Sequence, residues 1–216
     1  MKKKILIATS VEEEKEAVLR GWNNSELADC IVVGVGSPKA AARTAMALMK
    51  GDYGLVINMG IAGGFRDKTY IGSIVIATEI ISADLGSETE AGFMSLEQLK
   101  LGNSRFHVDK ELVEQIYEKL KANDLVVSKG PVLTVSTTTG TIGTLKKLKT
   151  RFPDAVAEAM EGYGVAVSAH EQHLPCLEIR AISNYVGPRV RKAWKIKEAL
   201  EMLQLASSCL QEVFLK

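Results

Sequence analysis

Residues 155–188 read AVAEAMEGYGVAVSAHEQHLPCLEIRAISNYVGP, and they place polar side chains at the ends of two predicted strands. A short strand ends at Glu161 and is followed at once by a helix of small residues. A second, buried strand over residues 176–182 delivers Asn184 at its carboxyl end. Open α/β sheets bind ligands at the carboxyl ends of their strands. We therefore expect Glu161 and Asn184 to lie side by side in a ligand-binding crevice.

The rest of the chain alternates apolar strands with helices, which predicts a largely parallel or mixed sheet covered on both faces. We expect one domain over residues 1–216 with a three-layer α/β/α architecture. Further strands are predicted over residues 4–9, 30–35, 55–59, 72–81 and 131–136. Helices are predicted after Ser10 as N-cap, at 37–50 with Ser37 as cap, and at 108–122, 144–150 and 193–215. A polar loop is predicted over residues 82–104.

The composition excludes several classes of protein. The chain is 46% hydrophobic and 25% charged, with a formal net charge of +1, so nothing draws it to nucleic acid or to a membrane surface. It contains no stretch of roughly 18 apolar residues that would span a bilayer. The three cysteines are far apart, which indicates neither a disulfide framework nor a zinc site. We expect a cytoplasmic protein.

Several motifs have both a structural and a functional interpretation. The glutamates of VEEEKE, residues 11–16, complement a helix dipole, or one of them reaches the crevice. The loop at residues 34–37 is a tight turn or presents N–H groups to an anion. Residues 60–64, GIAGG, form a glycine-rich turn or allow a flat ligand to approach the backbone. His170 and His173 do not match the helical zinc motif, so we expect no metal.

Two basic features also stand out. Arg180 lies inside an apolar strand, and a buried guanidinium needs partners. It either pairs with a carboxylate such as Glu161 or Glu14 or lines the site. The basic run at residues 189–197 is a solvated helix face, or a segment that closes over an anionic substrate group.

The order and spacing of these motifs resemble the nucleoside phosphorylase and nucleosidase superfamily over most of the chain. Within it, residues 81–99 and 178–201 resemble the futalosine hydrolases. The matching segments are VEEEKEAVL, VGVGSPKAAARTAMAL, NMGIAGG, IGSIVIATE, VSTTTGT, AMEGYGVA and RAISN. The resemblance implies hydrolysis of the N-glycosidic bond of futalosine, with release of hypoxanthine and dehypoxanthine futalosine, in menaquinone biosynthesis. It also implies a homo-oligomer that needs no cofactor.

The resemblance assigns a role to each matching residue. Glu14 aligns with the carboxylate that activates the attacking water, and Arg180 lies close to it. Glu161 aligns with the carboxylate that holds the ribose hydroxyls, and Met160 packs against the sugar. Asn184 occupies the position that contacts N7 of the base. The remaining substrate-binding positions implied are Ile61, Ala62, Gly63, Ser136 and Thr137.

Two departures bear on the substrate. Ile61 replaces a serine of the methylthioadenosine nucleosidases, which removes one possible partner for the water. Asn184 replaces their aspartate. A 6-aminopurine leaving group benefits from a proton delivered to N7, whereas a 6-oxopurine spreads negative charge onto O6. Asn donates hydrogen bonds without titrating, so Asn184 favours hypoxanthine over adenine.

Three alternatives remain open. A purine nucleoside phosphorylase would need an anion site, for which Gly36, Ser37, Arg43 and residues 137–139 are candidates. A methylthioadenosine/S-adenosylhomocysteine nucleosidase is disfavoured by Asn184. The third alternative is a nucleoside-binding protein without catalysis.

Overall fold

The computed structural model describes residues 3–23 and 26–214, which form ten strands and seven α-helices. The strands are β1 Lys4–Thr9, β2 Ala28–Val32, β3 Tyr53–Gly64, β4 Ile74–Ser82, β5 Gly86–Thr89, β6 Gly92–Ser95, β7 Arg105–His107, β8 Val127–Thr134, β9 Ala157–Ala159 and β10 Cys176–Tyr185. The helices are α1 Glu12–Gly21, α2 Ser37–Leu48, α3 Leu96–Leu99, α4 Lys110–Lys121, α5 Ile142–Arg151, α6 Gly162–Glu171 and α7 Ile196–Phe214. A 3₁₀ helix spans Arg191–Ala193.

Eight of the strands form one mixed sheet in the order β10-β4-β8-β9-β3-β1-β2, with β7 paired to β4. Strand β10 also pairs with β3, so β3, β10, β4, β8 and β9 close into a ring. The β1, β2, β3 and β10 pairings are parallel, whereas β10 meets β4, and β3 meets β9, in antiparallel fashion. The ring brings the ends of β3, β9 and β10 to one place.

The sequence of β1 shows why the sheet is buried on both faces. Ile5 and Ile7 belong to the hydrophobic core on one face, and Leu6 and Ala8 belong to the core on the other. Successive side chains of a strand point to opposite faces, so a strand covered on both sides is apolar throughout. Helices α2 and α6 pack together over one face, and α1, α4 and α7 pack over the other. The predicted three-layer α/β/α fold with a mixed sheet is confirmed.

Three details differ from the sequence-based prediction. The predicted loop at 82–104 contains the hairpin β5–β6 and the short helix α3. Strand β3 continues through the glycine-rich segment to Gly64, because its backbone pairs there with both β9 and β10. The N-caps of α1 and α2 are Val11 and Gly36, each one residue away from the predicted serine. The last predicted helical residue, Leu215, lies outside the described residues.

The described part of the chain contains no helix that is both long and apolar enough to cross a membrane. Cys30, Cys176 and Cys209 are free thiols. Among residues 3–23 and 26–214, no three His, Cys, Asp or Glu side chains converge as a metal site requires. The His170 ring instead packs against Phe106, with 5.1 Å between ring centroids.

Candidate active site

A cavity of about 360 Å³ opens at the carboxyl ends of β3, β9 and β10. Its walls also include the segment between β1 and α1 and the loop after β10. Of the residues that the sequence analysis selected, the structure places on its lining Glu14, Ile61, Ala62, Gly63, Met160, Glu161 and Asn184. The side-by-side arrangement expected for Glu161 and Asn184 is therefore a feature of this cavity.

Glu14 is held in the cavity by the start of helix α1. It is the third residue of the helix, and its Oε2 accepts from the N–H groups of Ser10 at 2.8 Å and Val11 at 3.3 Å. A glutamate at this position reaches back over the helix start as a cap, which singles out Glu14 from its exposed neighbours. Its Oε1 accepts from the Ile61 N–H at 2.8 Å, and the residue is 3% exposed.

The burial of Glu14 changes its acidity. Desolvation raises the pKa of this carboxyl, and the charge of Arg180 and the bonds from the Ile61 and Ser10 N–H groups only partly oppose the rise. A carboxyl with a raised pKa is a stronger base than an ordinary glutamate once ionised. Glu14 therefore has the position and the basicity to take a proton from a group in the cavity.

Glu161 precedes helix α6 and is also tied to the backbone. Its Oε1 accepts from the Gly36 N–H at 3.2 Å, and its Oε2 accepts from the Met160 N–H at 3.3 Å. Gly36 has a φ of +92°, a conformation that favours glycine and turns its N–H towards the carboxylate. The loop that the sequence marked as a possible anion site thus binds an anion of the protein itself.

Arg180 lies beneath these two carboxylates and is fully buried. Its Nε donates to Glu178 Oε1 at 2.8 Å, and its Nη2 lies 3.5 Å from Glu161 Oε2. Burial lowers the pKa of Arg180, but Glu178, Glu161 and Glu14 together raise it above the ordinary value. The guanidinium therefore stays charged and compensates the carboxylates. It does not itself line the cavity.

Gly60 makes this close packing possible. Gly60 pairs with Arg180 between strands β3 and β10. A Cβ atom at Gly60 would come within 2.6 Å of Glu14 Oε1 and 2.7 Å of Arg180 Nη1. Any larger residue would push the carboxylate and the guanidinium apart. We refer to Glu14, Glu161, Glu178 and Arg180 as the buried charge cluster.

Sequence reasoning missed two members of this region, Glu178 and Asn58. Glu178 is fully buried; desolvation raises the pKa of its carboxyl, and the bond and charge of Arg180 oppose this. The Asn58 amide accepts from Arg180 Nη2 at 2.6 Å through its oxygen and donates to the Ala8 carbonyl at 3.1 Å. The signal was present in the alternation Glu178-Ile179-Arg180, which puts both charges on one face of a buried strand.

Asn184 lies half-buried at the end of β10, where it lines the cavity. Its Oδ1 accepts from the Ser183 hydroxyl at 2.8 Å, and its Nδ2 donates to the Tyr185 carbonyl at 3.2 Å. These two bonds fix the plane of the amide. One Nδ2 hydrogen remains for a group in the cavity.

The structure does not bring Ser136 and Thr137 to this cavity. Both are exposed, and the Ser136 N–H donates to Asp84 Oδ2 at 2.6 Å. The next two residues, Thr138 and Thr139, line the cavity instead. The sequence indicated the correct loop, but not where the chain turns inward after β8.

The rim segment, residues 188–195, forms one side of the entrance. Arg189 and Trp194 line the cavity, and the Arg189 guanidinium stacks 5.0 Å from the centre of the Trp194 ring. The Arg189 Nη1 also lies 3.4 Å from the Thr138 hydroxyl. Arg191 and Lys192, the other cations of this run, are exposed and do not line the cavity.

Known proteins share this chain's sequence and fold. Residues 11–216 match the model of the phosphorylase superfamily. A futalosine hydrolase of Streptomyces coelicolor is 41% identical over 92% of this chain and 91% of its own length. A futalosine hydrolase of Acidothermus cellulolyticus is 42% identical over 97% and 91%.

A solved 5′-methylthioadenosine/S-adenosylhomocysteine nucleosidase from Neisseria meningitidis, in complex with methylthio-immucillin-A, superposes with a TM-score of 0.85. It covers 97% of this chain and 99% of its own, at 21% identity, and so supports the fold alone. The two hydrolases match closely and over nearly their full length. The chain therefore belongs to the futalosine hydrolase family of the phosphorylase superfamily.

Proposed function

We propose that this protein hydrolyses the N-glycosidic bond of futalosine and releases hypoxanthine and dehypoxanthine futalosine. The observation that carries the proposal is the position of Glu14, a buried carboxyl with a raised pKa in the same cavity as Glu161 and Asn184. The similarity to two futalosine hydrolases supports this substrate. The place of this reaction in menaquinone biosynthesis is part of the same proposal.

In the reaction, Glu14 accepts a proton from water while the water oxygen bonds to C1′ of the ribose. The bond from C1′ to N9 breaks, and its electron pair leaves with the purine. General-base assistance of this kind contributes about 10²–10⁴-fold to the rate. Ser10, Val11 and Ile61 hold the carboxylate through backbone N–H groups, so it is oriented before the water arrives.

Glu161 binds the sugar in this proposal. Each of its oxygens accepts one backbone N–H, which leaves further lone pairs for the 2′- and 3′-hydroxyls. Met160 precedes it on the cavity wall and packs against the ribose. Arg180 acts from below, because its charge keeps two adjacent carboxylates ionised without touching the substrate.

Asn184 stabilises the departing base. Negative charge develops on the purine as the bond breaks, and the Asn184 Nδ2 donates to N7. A 6-oxopurine also carries charge on O6, so it leaves without the protonated aspartate that a 6-aminopurine needs. One oriented donor of this kind is worth about 3 kcal/mol in the transition state.

The contacts around Glu161 argue against a phosphorylase. The Gly36 N–H that would hold phosphate donates to Glu161, and Arg43 donates to the Val32 carbonyl at 3.3 Å, outside the cavity lining. Glu14 would repel a phosphate dianion at the position of the nucleophile. A methylthioadenosine nucleosidase is disfavoured by Asn184, and a protein that only binds nucleosides would not need Glu14 aimed into the cavity.

The carboxyphenyl end of futalosine needs a cation, and the structure favours Arg189 among the three candidates near Asn184. Arg189 is the one of Arg189, Arg191 and Lys192 that lines the cavity. Its guanidinium is free to bond a carboxylate in addition to Thr138. Trp194 beside it offers a ring face to the aromatic part of the substrate.

We also propose that the protein is a cytoplasmic homo-oligomer. Its three cysteines are free thiols, which suits a reducing compartment. Val35 lines the cavity yet is 52% exposed, so a second subunit would cover an apolar side chain next to the site. Light scattering on the purified protein tests the oligomer; a monomer at assay concentrations would contradict it.

The decisive experiment is base release from futalosine, with inosine and methylthioadenosine in parallel, in buffer with and without phosphate. We expect hypoxanthine from futalosine at a rate that does not depend on phosphate, with the free sugar as product. A requirement for phosphate and formation of a sugar 1-phosphate would identify a phosphorylase. Tight binding without turnover would identify a binding protein.

A further inference from the structure

Glu158 is a buried carboxylate in the cavity that the mechanism above does not use. It is 6% exposed and lines the same cavity as Asn184. Its Oε1 accepts from the Thr139 N–H at 2.7 Å, and its Oε2 accepts from the Thr139 hydroxyl at 2.5 Å. These bonds orient the carboxylate. Two oxygens have about four lone-pair sites, so roughly half of them remain for a ligand.

The register of the sheet places Glu158 opposite Asn184. Gly63 pairs with Glu158 on one side and with Asn184 on the other. Adjacent strands lie about 4.8 Å apart, so the Cα atoms of Glu158 and Asn184 are about 10 Å apart, with a glycine between them. A Cβ at Gly63 would lie 3.3 Å from Asn184 Nδ2. The absence of a side chain keeps the space between the carboxylate and the amide open for a flat ring.

A 6-oxopurine has the polar groups that fit this arrangement. Its N7 and O6 accept hydrogen bonds, and the neighbouring N1 carries a hydrogen. A 6-aminopurine has a bare N1 whose lone pair would face the carboxylate. The N7 edge towards Asn184 therefore leaves N1 directed at the far side of the cavity, where Glu158 lies.

We propose that Glu158 accepts a hydrogen bond from N1–H of the purine and selects 6-oxopurine nucleosides together with Asn184. This inference rests on the proposed function, since it concerns the base of the same substrate. Thr139 is the positioning residue in this proposal, because it holds both carboxylate oxygens. An ionised carboxylate only accepts, so it accepts N1–H and repels an unprotonated N1.

Binding of free bases tests the proposal apart from catalysis. Calorimetric titrations with hypoxanthine, 1-methylhypoxanthine and adenine would compare the wild type with Glu158→Gln and with a matched control, Glu114→Gln. Glu114 is an exposed glutamate paired with Lys129. We expect the wild type and the control to prefer hypoxanthine over both other bases by about 10- to 100-fold, as one bond to a charged group allows. Glu158→Gln should lose most of this preference.

The ratios between bases separate recognition from a purely structural role. If Glu158 only orders the Thr139 loop, Glu158→Gln weakens all three bases equally and the preference survives, which overturns the proposal. Equal binding of hypoxanthine and 1-methylhypoxanthine by the wild type, or no binding of hypoxanthine, overturns it without any variant. Futalosine hydrolysis is assayed separately, so turnover with no preference between bases refutes the role of Glu158 and leaves the proposed function intact.

Discussion

The floor of the cavity and its rim hold their charges in different ways. The buried charge cluster beneath the floor is at most 6% exposed, and its carboxylates accept from backbone N–H groups or from Arg180. The cations of the rim segment are exposed, and Arg189 rests on Trp194 and Thr138 alone. The floor is built to keep charges in fixed positions, as bond cleavage requires. The rim is built to meet a charged group that arrives from solvent.

This difference predicts where a substitution changes the rate and where it changes selectivity. In a buried site, loss of one charge leaves its partner without compensation, so effects are large and extend to stability. At an exposed rim, solvent screens the charge and replaces the lost partner, so effects are small. The predictions below test this contrast.

The largest effect is expected for Glu14→Gln. The amide keeps the shape of the side chain but cannot take a proton from water, so kcat for futalosine should fall by about 10²–10⁴-fold. Hypoxanthine binding should change little, because Glu14 does not contact the base in the proposed mechanism. Glu13→Gln, an exposed neighbour in the same helical turn, is the control for the release assay. Turnover retained in Glu14→Gln would refute its role as the base.

Arg180→Met should reduce the stability of the fold most. It removes the only guanidinium that contacts Glu178 and Glu161 in the described part of the chain, and breaking a buried pair costs about 3–5 kcal/mol in the free energy of unfolding. Urea denaturation measures the loss. The double variant Arg180→Met, Glu178→Gln should recover part of it, because the uncompensated charge of Glu178 is gone. Equal stability of the single and double variants would mean that packing, not charge, holds this region.

Asn184→Ala tests the leaving-group side of the floor. The loss of one oriented donor should lower kcat for hypoxanthine release by about 10²–10³-fold, with a smaller effect on the KM for futalosine. Single-turnover kinetics separates bond cleavage from product release. An equal change in substrate binding and cleavage would instead assign Asn184 to ground-state recognition.

The fold was predictable from sequence where burial imposes an apolar pattern. Strand β1 begins and ends where its apolar run predicts, and helix α6 begins at the glycine after Glu161. The hairpin β5–β6 was missed because its strands are short, polar and exposed, so they carry no alternation. The extension of β3 to Gly64 was missed because pairing with two strands overrides the low strand preference of glycine.

The site was harder to predict because its completeness depends on register. Glu161 and Asn184 follow from strand ends, which a sequence reveals. Glu158 and Thr139 meet only because β8 and β9 are parallel neighbours, and no local pattern encodes that pairing. Glu178 looked like an exception within an apolar strand until its partner was visible.

The pH dependence of kcat/KM should report the burial of the floor. Desolvation raises the pKa of Glu14, and the base must be ionised, so activity should fall tenfold per pH unit once the pH drops below that raised value. The acid limb should therefore lie at a higher pH than for an ordinary glutamate. The hypoxanthine release rate against pH measures it. A limb at the ordinary value would mean that Glu14 is better solvated than its 3% exposure indicates.

The smallest effect is expected at the rim, for Arg189→Gln. The guanidinium is exposed and screened, so its loss should raise the KM for futalosine by about fivefold and leave kcat nearly unchanged. Inosine lacks the carboxyphenyl group, so its KM should not change. Arg191→Gln is the matched control, since Arg191 lies two residues away but outside the cavity lining. If Arg189→Gln changes both substrates equally, the residue shapes the cavity wall through Trp194 and Thr138 and does not recognise the distal carboxylate.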